Sequence, residues 1–323
     1  RVILDGVGRV GLSEELAGAA RAADRGRGGG LKERQFKIMG DVSVKTLEFF
    51  QYDSIIRFAQ DMGIDILRLD YGFSEDEILK IGEEYPISFN PSTEDEIIAK
   101  EILDTGSDVF ALHNFYPRPE TGLDPEDFSI INNKLKDLKI KTLAFIPGDE
   151  IKRTPIYEGL PTLEKHRYIP PYVAYLDLAK NFGVDGIFVG DVKISELQGK
   201  LITDYIRENI INIPVEFSPD YNYLYNQVFT IRADSPKSIM RLQESREYSR
   251  IGKQLEPFNC ISREKGTITM DNIGYKRYSG EIQILRQGFP QDDRVNVIGK
   301  LKNEYLDIIN CIKNRDKIRF ISI

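Results

Sequence analysis

Residues 106–114, Gly-Ser-Asp-Val-Phe-Ala-Leu-His-Asn, decide how this chain folds. A glycine after a helical stretch can end it in a left-handed C-cap. The apolar run Val109–Leu112 is short and unbroken, which suits a strand covered on both faces. The same order recurs on either side. Gly63-Ile-Asp leads into Ile66–Leu69 and stops at Asp70, and Gly183-Val-Asp leads into Ile187–Val189 and stops at Gly190-Asp191. Lys37–Val42, Ile87–Asn90 and Lys141–Ile146 read as further strands. Tyr52–Met62, Thr93–Asp104, Pro125–Leu138, Pro171–Phe182 and Ser195–Glu208 read as helices. Strands alternating with helices predict βαβ units on a parallel sheet. The strand count fits a TIM-like (β/α) barrel better than a Rossmann sheet. No Gly-x-Gly-x-x-Gly runs from a strand into a helix.

The two ends of the chain depart from this rhythm. Residues 1–35 hold no Phe, Tyr or Trp, and Arg, Gly and Ala crowd towards Gly28-Gly29-Gly30. Such a segment buries little, and at most a strand at Ile3-Leu4 and a short helix over 14–23 are expected in it. After Ser218 the pattern becomes short apolar runs between turn residues: Val228–Arg232, Gly266–Met270, Gly280–Leu285 and Val295–Lys300. The expected organisation is an α/β barrel domain over 1–221, with 1–35 atypical, and a small β domain over 222–323.

Bulk properties exclude several classes. The chain has 323 residues, a net charge of -7 and a pI near 5.2, so no general basic face for nucleic acid or anionic membrane is expected. The two cysteines, Cys260 and Cys311, have no metal-ligand spacing and are too few for a disulfide framework, which favours a reducing compartment. No apolar run approaches the roughly 20 residues of a membrane span, and no secretion signal is visible.

Ligands of parallel α/β proteins bind where strands end. The predicted strand ends carry Asp41, Asp70, Asn90, His113 with Asn114, and Asp191. His113 opens the polar stretch His-Asn-Phe-Tyr-Pro-Arg-Pro-Glu-Thr-Gly-Leu, 113–123, which includes Arg118. A second polar stretch, Glu158-Gly-Leu-Pro-Thr-Leu-Glu-Lys-His-Arg167, follows the strand ending at Ile146. Any one of these residues could be a helix cap or a solvated charge; their convergence is the signal. Carboxylates at one mouth suit glycoside hydrolysis, in which one protonates the leaving oxygen and another is nucleophile or base. A zinc site is disfavoured because the only histidines, His113 and His166, lack H-x-H or H-E-x-x-H spacing, although a Mg²⁺ site lined by Asp and Asn stays open. Neither a Gly-x-Ser-x-Gly elbow nor a Walker A loop is present. A barrel isomerase or aldolase on sugar phosphates would need a lysine or metal at the mouth, and Lys193 alone lies near a strand end.

Four stretches carry a resemblance: 113–123, 158–167, Arg68-Leu-Asp-Tyr-Gly-Phe73, and the hairpin Asp271-Asn-Ile-Gly-Tyr-Lys-Arg-Tyr-Ser-Gly-Glu-Ile-Gln-Ile284. Together they resemble the MupG-type 6-phospho-N-acetylmuramidases. The resemblance implies a TIM-like barrel followed by a cyclophilin-like β-barrel. It also implies cytoplasmic cleavage of 6-phospho-N-acetylmuramyl-N-acetylglucosamine into N-acetylmuramic acid 6-phosphate and N-acetylglucosamine during peptidoglycan recycling, with no cofactor. Against that family the chain shows no counterpart of the opening strand and helix, so a barrel incomplete at its N-terminal side is expected. Strand-end position makes Asp70 and Glu158 the expected principal carboxylates, with Asp41 next. Asn90, His113, Asn114, Arg118 and Asp191 are expected to position the sugar. A cation cluster from Arg167, Arg246 and Arg277 is expected to grip phosphate and lactyl carboxylate. The alternative from a different class is a non-catalytic phospho-sugar binding protein.

Overall fold

The computed structural model describes residues 2–3, 9–12, 37–69, 72–92, 96–246 and 255–323. They form two compact units, Arg1–Glu196 and Leu197–Ile323. The helix expected over 14–23 lies outside the described residues.

The first unit is one sheet whose strands follow chain order. These are β1 (Val2–Ile3), β2 (Arg9–Leu12), β3 (Lys37–Val42), β4 (Ile66–Leu69), β5 (Ile87–Phe89), β6 (Val109–Leu112), β7 (Lys141–Ile146) and β8 (Gly186–Val189). From β2 to β8 every neighbouring pair is parallel, and only β1 runs antiparallel to β2. The sheet curls, bringing β1 back towards β8. Helices α1 (Val44–Phe50), α2 (Ile55–Met62), α3 (Glu75–Glu84), α4 (Glu96–Asp104), α5 (Pro125–Asp137) and α6 (Pro171–Asp177) connect the strands, and α6 runs on into a π-helical turn, Leu178–Phe182.

The Gly-x-Asp repeat does two jobs. Gly63 (φ 70°) ends α2 and Gly183 (φ 64°) ends the π-helical turn in left-handed conformations that cost glycine little. Two residues on, the aspartate fastens the new strand to its neighbour. Asp65 N–H donates to the Ile38 carbonyl and its Oδ2 accepts from Ile38 N–H, both at 2.7 Å. Asp185 does the same to Thr142, at 3.0 and 2.8 Å.

Successive strand residues go to opposite faces, as the pleat requires. Ile38, Leu67, Val109 and Ala111 pack with Phe58, Ala59, Ile102 and Leu135 of the helices. Met39, Ile66, Phe110 and Leu112 form a second cluster with Leu143, Phe145 and Phe188. Both faces are apolar, which is why these strands read as unbroken runs. The sequence reading did not anticipate α1 or α3, although Ser74 and Glu77 make a capping box, with Ser74 N–H to Glu77 Oε2 at 2.8 Å.

The second unit holds α7 (Glu196–Glu208) and strands β9 (Ile210–Phe217), β10 (Val228–Thr230), β11 (Ile239–Arg241), β12 (Thr267–Asp271), β13 (Ile282–Leu285), β14 (Val295–Leu301) and β15 (Lys317–Ile321). Their order is β10-β15-β9-β14-β12-β13-β11, parallel only between β9 and β15. The outer strands are themselves joined. Arg232 N–H donates to the Arg241 carbonyl (2.9 Å) and Gln243 N–H to that of Thr230 (2.8 Å). The sheet therefore closes into a barrel, filled by Ile211, Ile213, Phe229, Met240, Ile268, Ile284 and Phe320. No helix among the described residues is long and apolar enough to cross a membrane.

Leu67 has no exposed surface and sits at the centre of the helix-facing cluster. Leu67→Ala is expected to destabilise the first unit by about 2–5 kcal/mol, measured as a lower urea midpoint with an unchanged slope.

Candidate active site at the strand ends

The strand ends of the first sheet are tied by a chain of polar contacts. Asp41, near the end of β3, accepts from Arg68 Nη1 of β4 at 3.1 Å. Arg68 Nη2 also donates to Asn114 Oδ1, just past β6. The Asn114 carbonyl accepts from Thr162 Oγ1 at 2.9 Å, and that hydroxyl accepts from Phe145 N–H of β7 at 2.9 Å. Arg68 thus joins two predicted site residues, although the sequence reading gave it no role. Its guanidinium is little exposed, and its Nε has no partner among the described residues. Asp70 follows β4 directly and lies outside the described residues. Asn90 is buried at the end of β5, where its Oδ1 accepts from Ser92 N–H at 3.1 Å in a local turn.

The loop from Gly148 to Leu160 leaves β7 and is anchored by Asp191. That buried carboxylate accepts Gly148 N–H (2.6 Å) and Leu160 N–H (3.1 Å) on Oδ2, and Arg153 N–H (2.9 Å) on Oδ1. The loop passes so close that a Cβ on Gly190 would lie 2.2 Å from the Leu160 carbonyl oxygen. Asp191 therefore shapes the loop and is occupied in doing so.

Arg167 is similarly committed. It is only 2% exposed and all its donor nitrogens are engaged. Nε and Nη2 form a fork on the two oxygens of Glu164, both at 2.6 Å. Nη1 donates to the carbonyls of Tyr116 (3.0 Å) and Gly159 (2.9 Å), and Nη2 to that of Arg118 (3.2 Å). Glu164 also accepts Glu120 N–H (2.9 Å) and Gly122 N–H (2.8 Å). The guanidinium fork, helped by those amides and opposed by partial burial, holds the Glu164 carboxyl down to about 2. The two sequence stretches 113–123 and 158–167 are thus clamped together by one ion pair. Arg118 contributes its carbonyl to the clamp, while the residue itself is exposed.

Glu158 differs from these carboxylates. It is half-buried on the anchored loop, its charge is felt at Arg167, and among the described residues its carboxylate accepts no hydrogen bond. The histidines are turned elsewhere. His113 is fully buried, with Nε2 2.9 Å from Asn132 Oδ1 of α5 and its ring 4.4 Å from that of Phe128. Burial lowers its pKa to about 4, despite the Asn132 contact, so it is neutral at pH 7. The strand register aims it into the sheet–helix layer. His166 is also buried, 2.8 Å from Asp177, which in turn meets Lys165 at 2.6 Å and Asn181 at 2.7 Å.

In the second unit, Arg246 and Arg277 meet at Tyr278. Their guanidinium carbons lie 5.9 and 4.9 Å from its ring centroid, and Arg277 Nη2 donates to the phenol oxygen at 2.8 Å. That hydrogen bond and the surrounding positive charge lower the Tyr278 pKa. Arg167 is engaged inside the first unit, while Arg246 and Arg277 share one aromatic contact in the second.

Residues 28–203 match the family model described as 6-phospho-N-acetylmuramidase, N-terminal, and residues 211–321 match its C-terminal counterpart. No curated protein matches the chain. Among solved structures, a conserved protein of unknown function from a locus in Enterococcus faecalis is 30% identical over 97% of this chain and 87% of that one, with a TM-score of 0.83. An uncharacterised protein from B. cereus is 22% identical over 97% of this chain and 99% of its own, with a TM-score of 0.79, and shares the fold.

Replacing Glu164 by Gln would leave the buried Arg167 charge without its counter-ion, a change expected to cost about 3–5 kcal/mol. Because the Glu164 pKa is depressed in the folded state, its stabilisation is fully present above the ordinary carboxylate value of 4.5 and fades as pH falls towards about 2. Unfolding free energies of wild type and Glu164→Gln should therefore differ at pH 7 and converge in acid.

Proposed function

The chain belongs to the 6-phospho-N-acetylmuramidase family, and we propose that it hydrolyses the glycosidic bond of 6-phospho-N-acetylmuramyl-N-acetylglucosamine. The products are N-acetylmuramic acid 6-phosphate and N-acetylglucosamine, and the place of the reaction is cytoplasmic peptidoglycan recycling. In this reading the curled sheet is a TIM-like catalytic barrel and the closed sheet a cyclophilin-like domain.

The observation that carries the chemistry is the contrast among carboxylates. Glu164 and Asp191 have their oxygens filled by Arg167 and by backbone amides. Glu158 stays half-buried and unclaimed on a loop held by Asp191 and Arg167. A carboxyl group that moves protons must have a lone pair open to substrate. Glu158 and Asp70 are the proposed pair. One gives a proton to the departing glycosidic oxygen, and the other attacks the anomeric carbon or deprotonates the water that does. The C–O bond to N-acetylglucosamine breaks, and the water oxygen ends on the anomeric carbon of the muramic acid. A pair about 5 Å apart would retain the anomeric configuration, and one about 6.5–9.5 Å apart would invert it.

Asp41, ion-paired to Arg68, shapes the field at the mouth, and Arg68 keeps Asn114 turned towards the sugar. Asn90 and Arg118 are the further proposed sugar contacts. His113 contributes from behind, fixing the strand end against α5. The two cations at Tyr278, the half-buried Arg246 and the exposed Arg277, are the proposed contacts for phosphate and lactyl carboxylate.

Incubation with the phosphorylated disaccharide should release free N-acetylglucosamine, and Glu158→Gln and Asp70→Asn should each slow release by about 10²–10⁴-fold while folding normally. Full turnover in both variants would remove these residues from the mechanism. Tight binding of the disaccharide by wild type without release would identify a phospho-sugar binding protein.

A further inference from the structure

The loop that carries Glu158 holds a second unusual residue. Tyr157 has φ 63°, a left-handed conformation that bulky side chains rarely adopt. It is nevertheless 58% exposed, so no burial of its ring accounts for the strained backbone. The surroundings impose it. Asp191 fixes the loop at Gly148, Arg153 and Leu160, Arg167 holds the Gly159 carbonyl, and Tyr157 N–H closes a turn on the Arg153 carbonyl at 3.2 Å. Backbone strain held in place by so many anchors points to function, because without them the residue would relax. The result is a tyrosine ring turned to solvent directly beside the unclaimed Glu158. Ile156, also exposed at 44%, adjoins it in the chain.

We propose that Tyr157 is a ring-stacking contact for the N-acetylglucosamine unit of a substrate bound against Glu158. The inference rests on the glycosidase reading and deepens it by assigning one sugar ring to one side chain. The C–H face of a pyranose is apolar and flat enough to lie on an aromatic ring, and its hydroxyls remain at the wet edge. Charge decides which ring is taken. The Glu158 side chain next door offers no positive charge to a phosphate or lactyl group, so the uncharged N-acetylglucosamine suits this position better than the anionic sugar.

The chain contains no tryptophan, so Tyr157→Trp gives a single indole fluorophore at the proposed contact. Titration with N-acetylglucosamine should change its emission saturably, whereas Phe258→Trp, at an exposed position of the second unit, should not respond. Silence from Tyr157→Trp, or an equal response from Phe258→Trp, overturns the proposal. Glycine accepts the left-handed backbone, so Tyr157→Gly should keep the wild-type melting temperature and kcat while KM for the disaccharide rises about tenfold, the loss of one aromatic contact. An unchanged KM, or a fall in melting temperature, would make Tyr157 a structural residue. The fluorescence readout needs no hydrolysis. A saturable response in a protein that releases no N-acetylglucosamine would preserve the stacking contact and reject the glycosidase.

Discussion

A single buried guanidinium governs the mouth of the first sheet. A charge out of water is costly unless paired and fully hydrogen-bonded. Arg167 meets that demand with the fork on Glu164 and three backbone carbonyls, those of Tyr116, Arg118 and Gly159. These partners lie on the loops leaving β6 and β7. None can move without exposing an unsatisfied donor, so the loops hold one arrangement. Glu164 extends the constraint by taking the amides of Glu120 and Gly122. The distance from a Cβ on Gly122 to the Glu164 nitrogen would be 2.6 Å, so the approach is close enough to require glycine.

This clamp divides the polar residues into those that build the site and those left to act in it. Arg167, Glu164 and Asp191 have the residue types expected of ligand contacts, but their hydrogen bonds are used internally. Glu158 and Tyr157 stand on the loop these anchors fix and have no comparable engagement. A rigid scaffold displaying a few uncommitted groups is the arrangement that lets a site hold a substrate at low reorganisation cost.

Much of the fold was legible in the sequence for a simple reason. β3, β4, β6 and β7 are covered on both faces, so they appear as apolar runs bounded by glycine, aspartate and proline, and their limits match the reading. β9 was missed because Asn212 and Pro214 interrupt its run, although it lies mid-sheet between β14 and β15. The proline faces Ile321 on the last strand. Side-chain roles were less legible, because they depend on direction and partners. His113 follows β6 as predicted, but the pleat turns its ring to α5. Arg68 lies inside a strand that reads as apolar, and its link between Asp41 and Asn114 depends on residues 27 and 46 positions away. The rarity of a guanidinium in a four-residue buried strand was the available signal.

The net charge sharpens the argument about substrate. A chain carrying -7 repels a doubly anionic sugar at long range. Beyond a Debye length of about 8–10 Å that repulsion is screened, so recognition depends on cations close to the ligand. In the first unit the buried Arg167 cannot serve, since its field is cancelled by Glu164. In the second unit Arg241 is tied to the buried Glu281 carboxylate, with Nη2 to Oε2 at 2.9 Å. Arg277 is exposed and, with Arg246, lies against the Tyr278 ring. An acidic protein that binds a phosphorylated sugar needs positive charge of this kind, oriented by a ring instead of a carboxylate. Arg277, held against the ring of Tyr278, is a cation of that kind in the second unit.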